Sequence, residues 1–186
     1  MLTQLVVLAS FGDPDLQLTL LLTLVLAATL AIIYIYLGKH PEVMKKLREE
    51  IDTAQLSDPP KWEEVRSLPY LEATIKEAMR LLPVSQWDHS RVVPPGGETV
   101  AGTFVPAGTT VQCQIDSVHR DAEIFGSSPD SYDPERWLVA SDERLVRMNG
   151  AMLGFGAGKR MCLGRHIAWL EMKKLLPLLT MHLDVS

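Results

Sequence analysis

The spacing of hydrophobic positions changes several times along the chain. Leu16 to Gly38 is predominantly apolar, 23 residues without a charge between Asp15 and Lys39. Beyond it, Val43, Met44, Leu47 and Ile51 recur at helical spacing after Pro41, with Lys45, Arg48 and Glu49 on the opposite face. Ser57-Asp58-Pro59-Pro60 breaks that pattern. A second helix is predicted from about Leu68 to Leu82, burying Leu71, Ile75, Ala78, Met79 and Leu82 and stopped by Pro83. Between Arg91 and Ile115 the period shortens. Thr99-Val100-Ala101, Thr103-Phe104-Val105 and Thr110-Val111-Gln112-Cys113 are β-type runs, separated by Gly96-Gly97, Gly102 and Pro106-Ala107-Gly108. They predict one small antiparallel sheet. Residues 119–150 read as irregular and charged, Gly150 to Gly164 as a glycine-rich loop, and Leu163 to Leu179 as a helix carrying Ile167, Leu170 and Leu175. The fold class is mainly α with a small antiparallel β-sheet, preceded by an apolar helix.

That first helix has two readings. At about 1.5 Å of rise per residue it reaches roughly 34 Å, enough for a hydrocarbon core of about 30 Å. A helix buried inside a large domain has the same hydropathy. The flank holds Asp13 and Asp15 and the run is too long for a signal peptide. On the spanning reading, Lys39, Lys45, Lys46 and Arg48 place the C-terminal part in the cytosol. The chain then divides into a tail (1–15), a membrane helix (16–38) and a C-terminal segment (39–186).

Composition narrows the function classes. The 186 residues hold 18 Lys and Arg against 23 Asp and Glu, a formal charge of −5 that offers no basic groove to nucleic acid. The two cysteines, Cys113 and Cys162, form no C-x-x-C pair, which excludes a disulfide-stapled scaffold and a cysteine-rich zinc site.

Candidate chemistry concentrates in Phe155-Gly156-Ala157-Gly158-Lys159-Arg160-Met161-Cys162-Leu163-Gly164. A phosphate loop would need Ser or Thr after the lysine, where Arg160 stands, and a glycine where Leu153 stands. A dinucleotide fingerprint fails for want of a βαβ context. A thiolate site fits better. The glycines let backbone pass close to something flat and bulky. Cys162 precedes a helix, where free N–H groups favour a thiolate, and Lys159 and Arg160 add positive charge suited to a ligand's carboxylates. A lone cysteine in other surroundings reads as a small buried hydrophobe.

This loop resembles the haem-binding loop of the cytochromes P-450, the haem-thiolate monooxygenases. Glu77-Ala-Met-Arg80 is similar to the family's ExxR helix, and Pro134-Glu135-Arg136-Trp137 to its PERF-type segment, in the family's order. The likeness runs from about Lys39 to Ser186, roughly four fifths of the chain, and is greatest to fungal pisatin-demethylase-type members. It implies the C-terminal portion of that fold, with Cys162 as axial ligand to the iron of haem b. It implies cofactor-binding roles for Phe155, Gly156, Gly158, Arg160 and Gly164, and a buried triad of Glu77, Arg80 and Arg136. Arg91 stands where relatives place a haem-propionate partner, with a plain surface arginine as the other reading. His119 is a further propionate candidate, while Trp137 and Trp169 read as packing residues. The implied activity is dioxygen-dependent oxidation of a lipophilic small molecule in fungal secondary metabolism, with electrons from a flavoprotein reductase, at the endoplasmic reticulum membrane.

The chain also departs from the family. Members are far longer, and their long central helix carries an acid–alcohol pair where this chain has Leu24 and Val25, which relay no proton. Three functions follow: a membrane-anchored monooxygenase, a catalytically inactive remnant, or a non-enzymatic membrane-tethered module. As an enzyme the chain is expected to show little turnover.

Overall fold

The computed structural model describes residues 14–85 and 90–183, with side chains from residue 23 onward. Most of the expected tail lies outside the described residues. Helix α1 spans Pro14–Lys39 and α2 Pro41–Ala54. His40 parts them at φ −131° and ψ 73°, because a residue before proline is pushed out of helical geometry. The chain bends there by 112°. Pro41 then opens α2, where its missing N–H costs nothing, and Gln55 ends it in the left-handed region.

The short α3 (Trp62–Val65) leads into α4 (Pro69–Leu81), the hub of the fold. Ten of the thirteen α4 residues are buried, because α1, α2 and later helices pack around it. Leu71, Ile75, Ala78 and Met79 lie inside as their spacing predicts, but Leu82 is exposed, one residue past the last helical turn. The principal core joins Leu30, Ile33 and Leu37 of α1 to Val43, Leu47 and Ile51 of α2, to α4, and to Met172 and Leu176 of α9.

The strands form two separate ladders instead of one sheet. β1 (Arg91–Val92) pairs antiparallel with β4 (Thr110–Val111), and β2 (Glu98–Val100) with β3 (Thr103–Val105). Pro94-Pro95 and Pro106 stand between the ladders and supply no N–H to join them. Ala101, expected in a strand, is in the turn with Gly102: both have positive φ, 48° and 81°, the two-residue hairpin geometry.

The stretch 119–150 holds more helix than its charge pattern implied. After α5 (Ile115–His119) come α6 (Ala122–Phe125), α7 (Arg136–Val139) and α8 (Asp142–Ala151). The Asp121 side chain caps α6, and the Ser141 hydroxyl caps α8 by accepting from the Arg144 N–H. The last helix, α9, runs Arg165–His182. Its buried residues are Met172, Lys173, Leu176, Pro177 and Thr180, whereas Ile167 and Leu170 are exposed. Lys173 is drawn inside because its ammonium donates to the Glu72 carboxylate and the Arg66 carbonyl, each at 2.7 Å.

The second half of α1 is therefore a core element. Ile33 and Leu37 are fully buried, and the Tyr34 hydroxyl reaches the Leu176 carbonyl of α9 at 3.2 Å. Among the described residues no single helix is long and apolar enough to cross a membrane; residues 23–39 pass that test only together with the bent α2. Replacing Ile33 with Ala is expected to lower unfolding stability in urea by about 2–5 kcal/mol. Ile35→Ala, on the 55% exposed side, should stay within about 0.5 kcal/mol. Equal effects at both positions would contradict this packing.

Candidate functional site

The site is built outward from one carboxylate. Glu77 and Arg80 sit one turn apart on α4, both fully buried, and Arg80 grips Glu77 with Nε and Nη2 at 2.9 and 2.8 Å. Arg136, at the start of α7, donates its Nε to the same carboxylate at 2.8 Å. Trp137 adds its indole N–H at 2.9 Å and Asp133 its backbone N–H at 3.0 Å. Two arginines on one carboxylate leave an excess positive charge, which backbone carbonyls offset. Arg80 donates to the carbonyls of His119, Pro129 and Ser131, and Arg136 to those of Phe125, Ser128 and Ser131. Truncating one member would leave a charge buried without its partner, at a cost of about 3–5 kcal/mol.

The cluster continues toward the glycine-rich loop through His119. Its Nδ1 lies 2.8 Å from the Arg80 carbonyl, and its Nε2 accepts the Leu153 N–H at 2.9 Å. Nε2 therefore carries no proton, and Nδ1–H donates to Arg80. Burial pushes the ring's pKa below its ordinary value; the bond to the Arg80 carbonyl opposes that shift and the Arg80 charge adds to it.

From Leu153 the loop folds on its own backbone. The Gly156 N–H donates to the Leu153 carbonyl at 2.7 Å, and the Cys162 N–H to the Phe155 carbonyl at 2.9 Å. Gly156 and Gly158 have φ of 71° and 66°, where a side chain would be strained. A short 3₁₀ turn, Gly158–Arg160, lifts the chain to Cys162, three residues before α9. The Cys162 side chain is exposed to a cavity of about 480 Å³ between the loop and α1. Val25, Leu26 and Thr29 of α1 form one wall; Gly154, Phe155, Arg160 and Gly164, with Ile167 and Ala168 of α9, form the other.

The family model for the cytochromes P-450 matches residues 25–186. The chain belongs to the cytochrome P-450 family. It is 45% identical over 158 residues to a cytochrome P-450 monooxygenase of Aspergillus terreus, covering 83% of this chain and 32% of that one. With the pkfB monooxygenase of Emericella nidulans it shares 42% over 160 residues, 85% of this chain and 31% of the relative. With mpaDE of Penicillium roqueforti it shares 44% over 152 residues, 79% of this chain and 18% of the relative. The chain thus spans about a third or less of the length of these relatives.

The cavity suits the haem of a cytochrome P-450. Its lining is mostly apolar, with one thiol (Cys162), one guanidinium (Arg160) and one carboxylate (Glu171). Gly154 lines it beside Met79, whose methyl group an added Cβ would only touch at 3.4 Å. Phe155, Arg160, Cys162 and Gly164 line this one space, while Gly156 lines a second groove that Phe155 also borders, and Gly158 lines neither. Arg91 is elsewhere. It is exposed on β1, its guanidinium bonded to the Ser90 carbonyl, and it lines neither cavity. His119 is no propionate partner, because it is wholly buried and both ring nitrogens hold backbone groups.

Three features were not anticipated. Trp137, read as a packing residue, meets Phe125 edge-on but also bonds Glu77; the tryptophan standing where the family motif has phenylalanine was the available sign. Glu171 lines the cavity nine residues after Cys162, a position no local pattern marks. The bond from Leu153 to His119 joins residues 34 apart in sequence, beyond any local reading.

His119 also gives the fold a pH dependence. Its lowered folded-state pKa makes the neutral ring favour the native state. That contribution is complete above the unfolded value of about 6.5 and is lost as pH falls through the folded value. Acidifying from about pH 7.5 to pH 5 should lower the urea midpoint, and His119→Gln should flatten the slope. An unchanged slope in the variant would assign the effect to another group.

Proposed function

We propose that this chain forms the haem-thiolate part of a fungal monooxygenase that uses dioxygen to oxidise a lipophilic small molecule in secondary metabolism, with a flavoprotein reductase as electron donor. What carries the reading is the position of Cys162, presented to an apolar cavity by a loop tied back to the Glu77 cluster. Haem b, when bound, supplies the redox chemistry, and a thiolate ligand lends it the electron density that favours O–O cleavage. Cys162 would hold the iron and Arg160 a propionate carboxylate, with the glycines giving the ring close access to backbone. α1 would cover the opposite face and keep water from it.

A second reading, that the chain supports little coupled turnover, is favoured by the α1 wall. Val25 lines the cavity where the family has a polar residue, and the Thr29 hydroxyl is already bonded to the Val25 carbonyl at 2.9 Å. Both readings meet in one experiment. Reconstituted with haem, the chain should give a thiolate-type ferrous–CO spectrum that Cys162→Ala abolishes and Cys113→Ala leaves intact. With reductase and lipophilic substrates, peroxide should exceed product. Loss of the spectrum in the Cys113 variant would overturn the ligand assignment, and coupled turnover at about 1 per second or faster would overturn the second reading.

Attachment to the endoplasmic reticulum membrane through residues 16–38, with residues 39 onward cytosolic, is a separate proposal. It rests on the charge asymmetry around the apolar run, and the packing of Ile33 and Leu37 inside the core weighs against it. Carbonate extraction decides: protein held in the membrane pellet supports the anchor, and released protein supports an internal helix.

A further inference from the structure

His119 stands between the buried charge cluster and the cysteine loop. His119 and Arg80 hold each other: the Arg80 guanidinium donates to the His119 backbone carbonyl at 2.7 Å, while the ring Nδ1–H donates to the Arg80 carbonyl at 2.8 Å. Phe125 meets the ring edge-on with centroids 6.4 Å apart, and turning the imidazole would break its bonds to the Arg80 carbonyl and the Leu153 N–H. The one acceptor left on the ring, Nε2, receives the Leu153 N–H at 2.9 Å.

Leu153 is the point where the chain, leaving α8, begins the loop. Its N–H is past the end of the helix and has no helical acceptor. Its carbonyl accepts the Gly156 N–H, and this turn aims the Phe155 carbonyl at the Cys162 N–H. Three hydrogen bonds in series thus connect a rigid imidazole to the cysteine backbone. We propose that His119 is a positioning residue for Cys162, fixing the start of the loop through the Leu153 N–H and so the place of the sulfur. The functional part of this inference rests on Cys162 being the haem ligand; the structural part does not.

The two ring nitrogens can be tested apart. An asparagine amide places its donor near Nδ1 but reaches no further, whereas a glutamine amide oxygen extends to the place of Nε2 and can accept there. H119N therefore keeps the Arg80 contact and orphans the Leu153 N–H; H119Q restores that acceptor. In the haem-free chain, amide hydrogen exchange at Leu153 and Cys162 should accelerate about tenfold or more in H119N beyond any change in global stability, and stay within about threefold of wild type in H119Q. In the haem-loaded chain the thiolate-type fraction of the CO spectrum should fall at least about twofold in H119N and recover in H119Q. Wild-type exchange at Cys162 in H119N, or equal behaviour of the two variants, would overturn the proposal. Should H119N fail to fold, H119Q decides alone: loss of protection at Cys162 while Leu153 stays protected overturns it, and protection of both supports it. A wild-type chain without a thiolate spectrum would sink the proposed function, and the exchange data would still judge His119.

Discussion

Everything around the cysteine loop depends on keeping one carboxylate and two guanidinium groups out of water together. Glu77, Arg80 and Arg136 are each costly to bury alone, and one carboxylate cannot neutralise two cations. The excess charge is tolerable because the chain from His119 to Ser131 turns its carbonyls toward the arginines. That requirement shapes an otherwise irregular stretch. Short helices α6 and α7 are placed so that the residues between them can face inward.

The same cluster links fold to site. α4 carries Glu77 and Arg80 on a helix so enclosed that its position leaves little freedom, and it hands that rigidity to His119 through paired bonds. His119 passes it to Leu153, and the loop backbone passes it to Cys162. On the other side, Lys173 ties α9 to Glu72 of α4, so both ends of the cysteine loop answer to one helix. A ligand held at about the right place but loosely would gain little from the apolar cavity around it. Rigid support is what makes the thiol's position specific.

The α1 wall shows the opposite economy. Its lower half packs into the core through Ile33 and Leu37, while Val25 turns toward the cavity and Leu24 is half-exposed. Packing and the cavity's apolar character are served at once by the same run of residues. The Thr29 hydroxyl on this wall is taken up in a bond to the Val25 carbonyl of its own helix.

The sequence by itself determined the helices of regular period and the chemistry of the loop. Pro41 and the spacing of Val43, Leu47 and Ile51 are local facts, as are the glycines around Cys162. It also named Glu77, Arg80 and Arg136, but only through resemblance, since a Glu and an Arg three apart mark many solvated helices. The tertiary structure decided what depended on distant partners. Whether α1 is lipid-like or core-like is not written in its hydropathy, because lipid and protein interiors select the same residues; the buried face against α9 is what distinguishes them over residues 30–37. The inward turn of Lys173, the exposure of Arg91 and the two ladders in place of one sheet likewise follow from neighbours far along the chain. His119 is the sharpest case. A polar residue in a charged stretch looks like a surface ligand until Arg80, 39 residues before it, and Leu153, 34 after it, claim its two nitrogens.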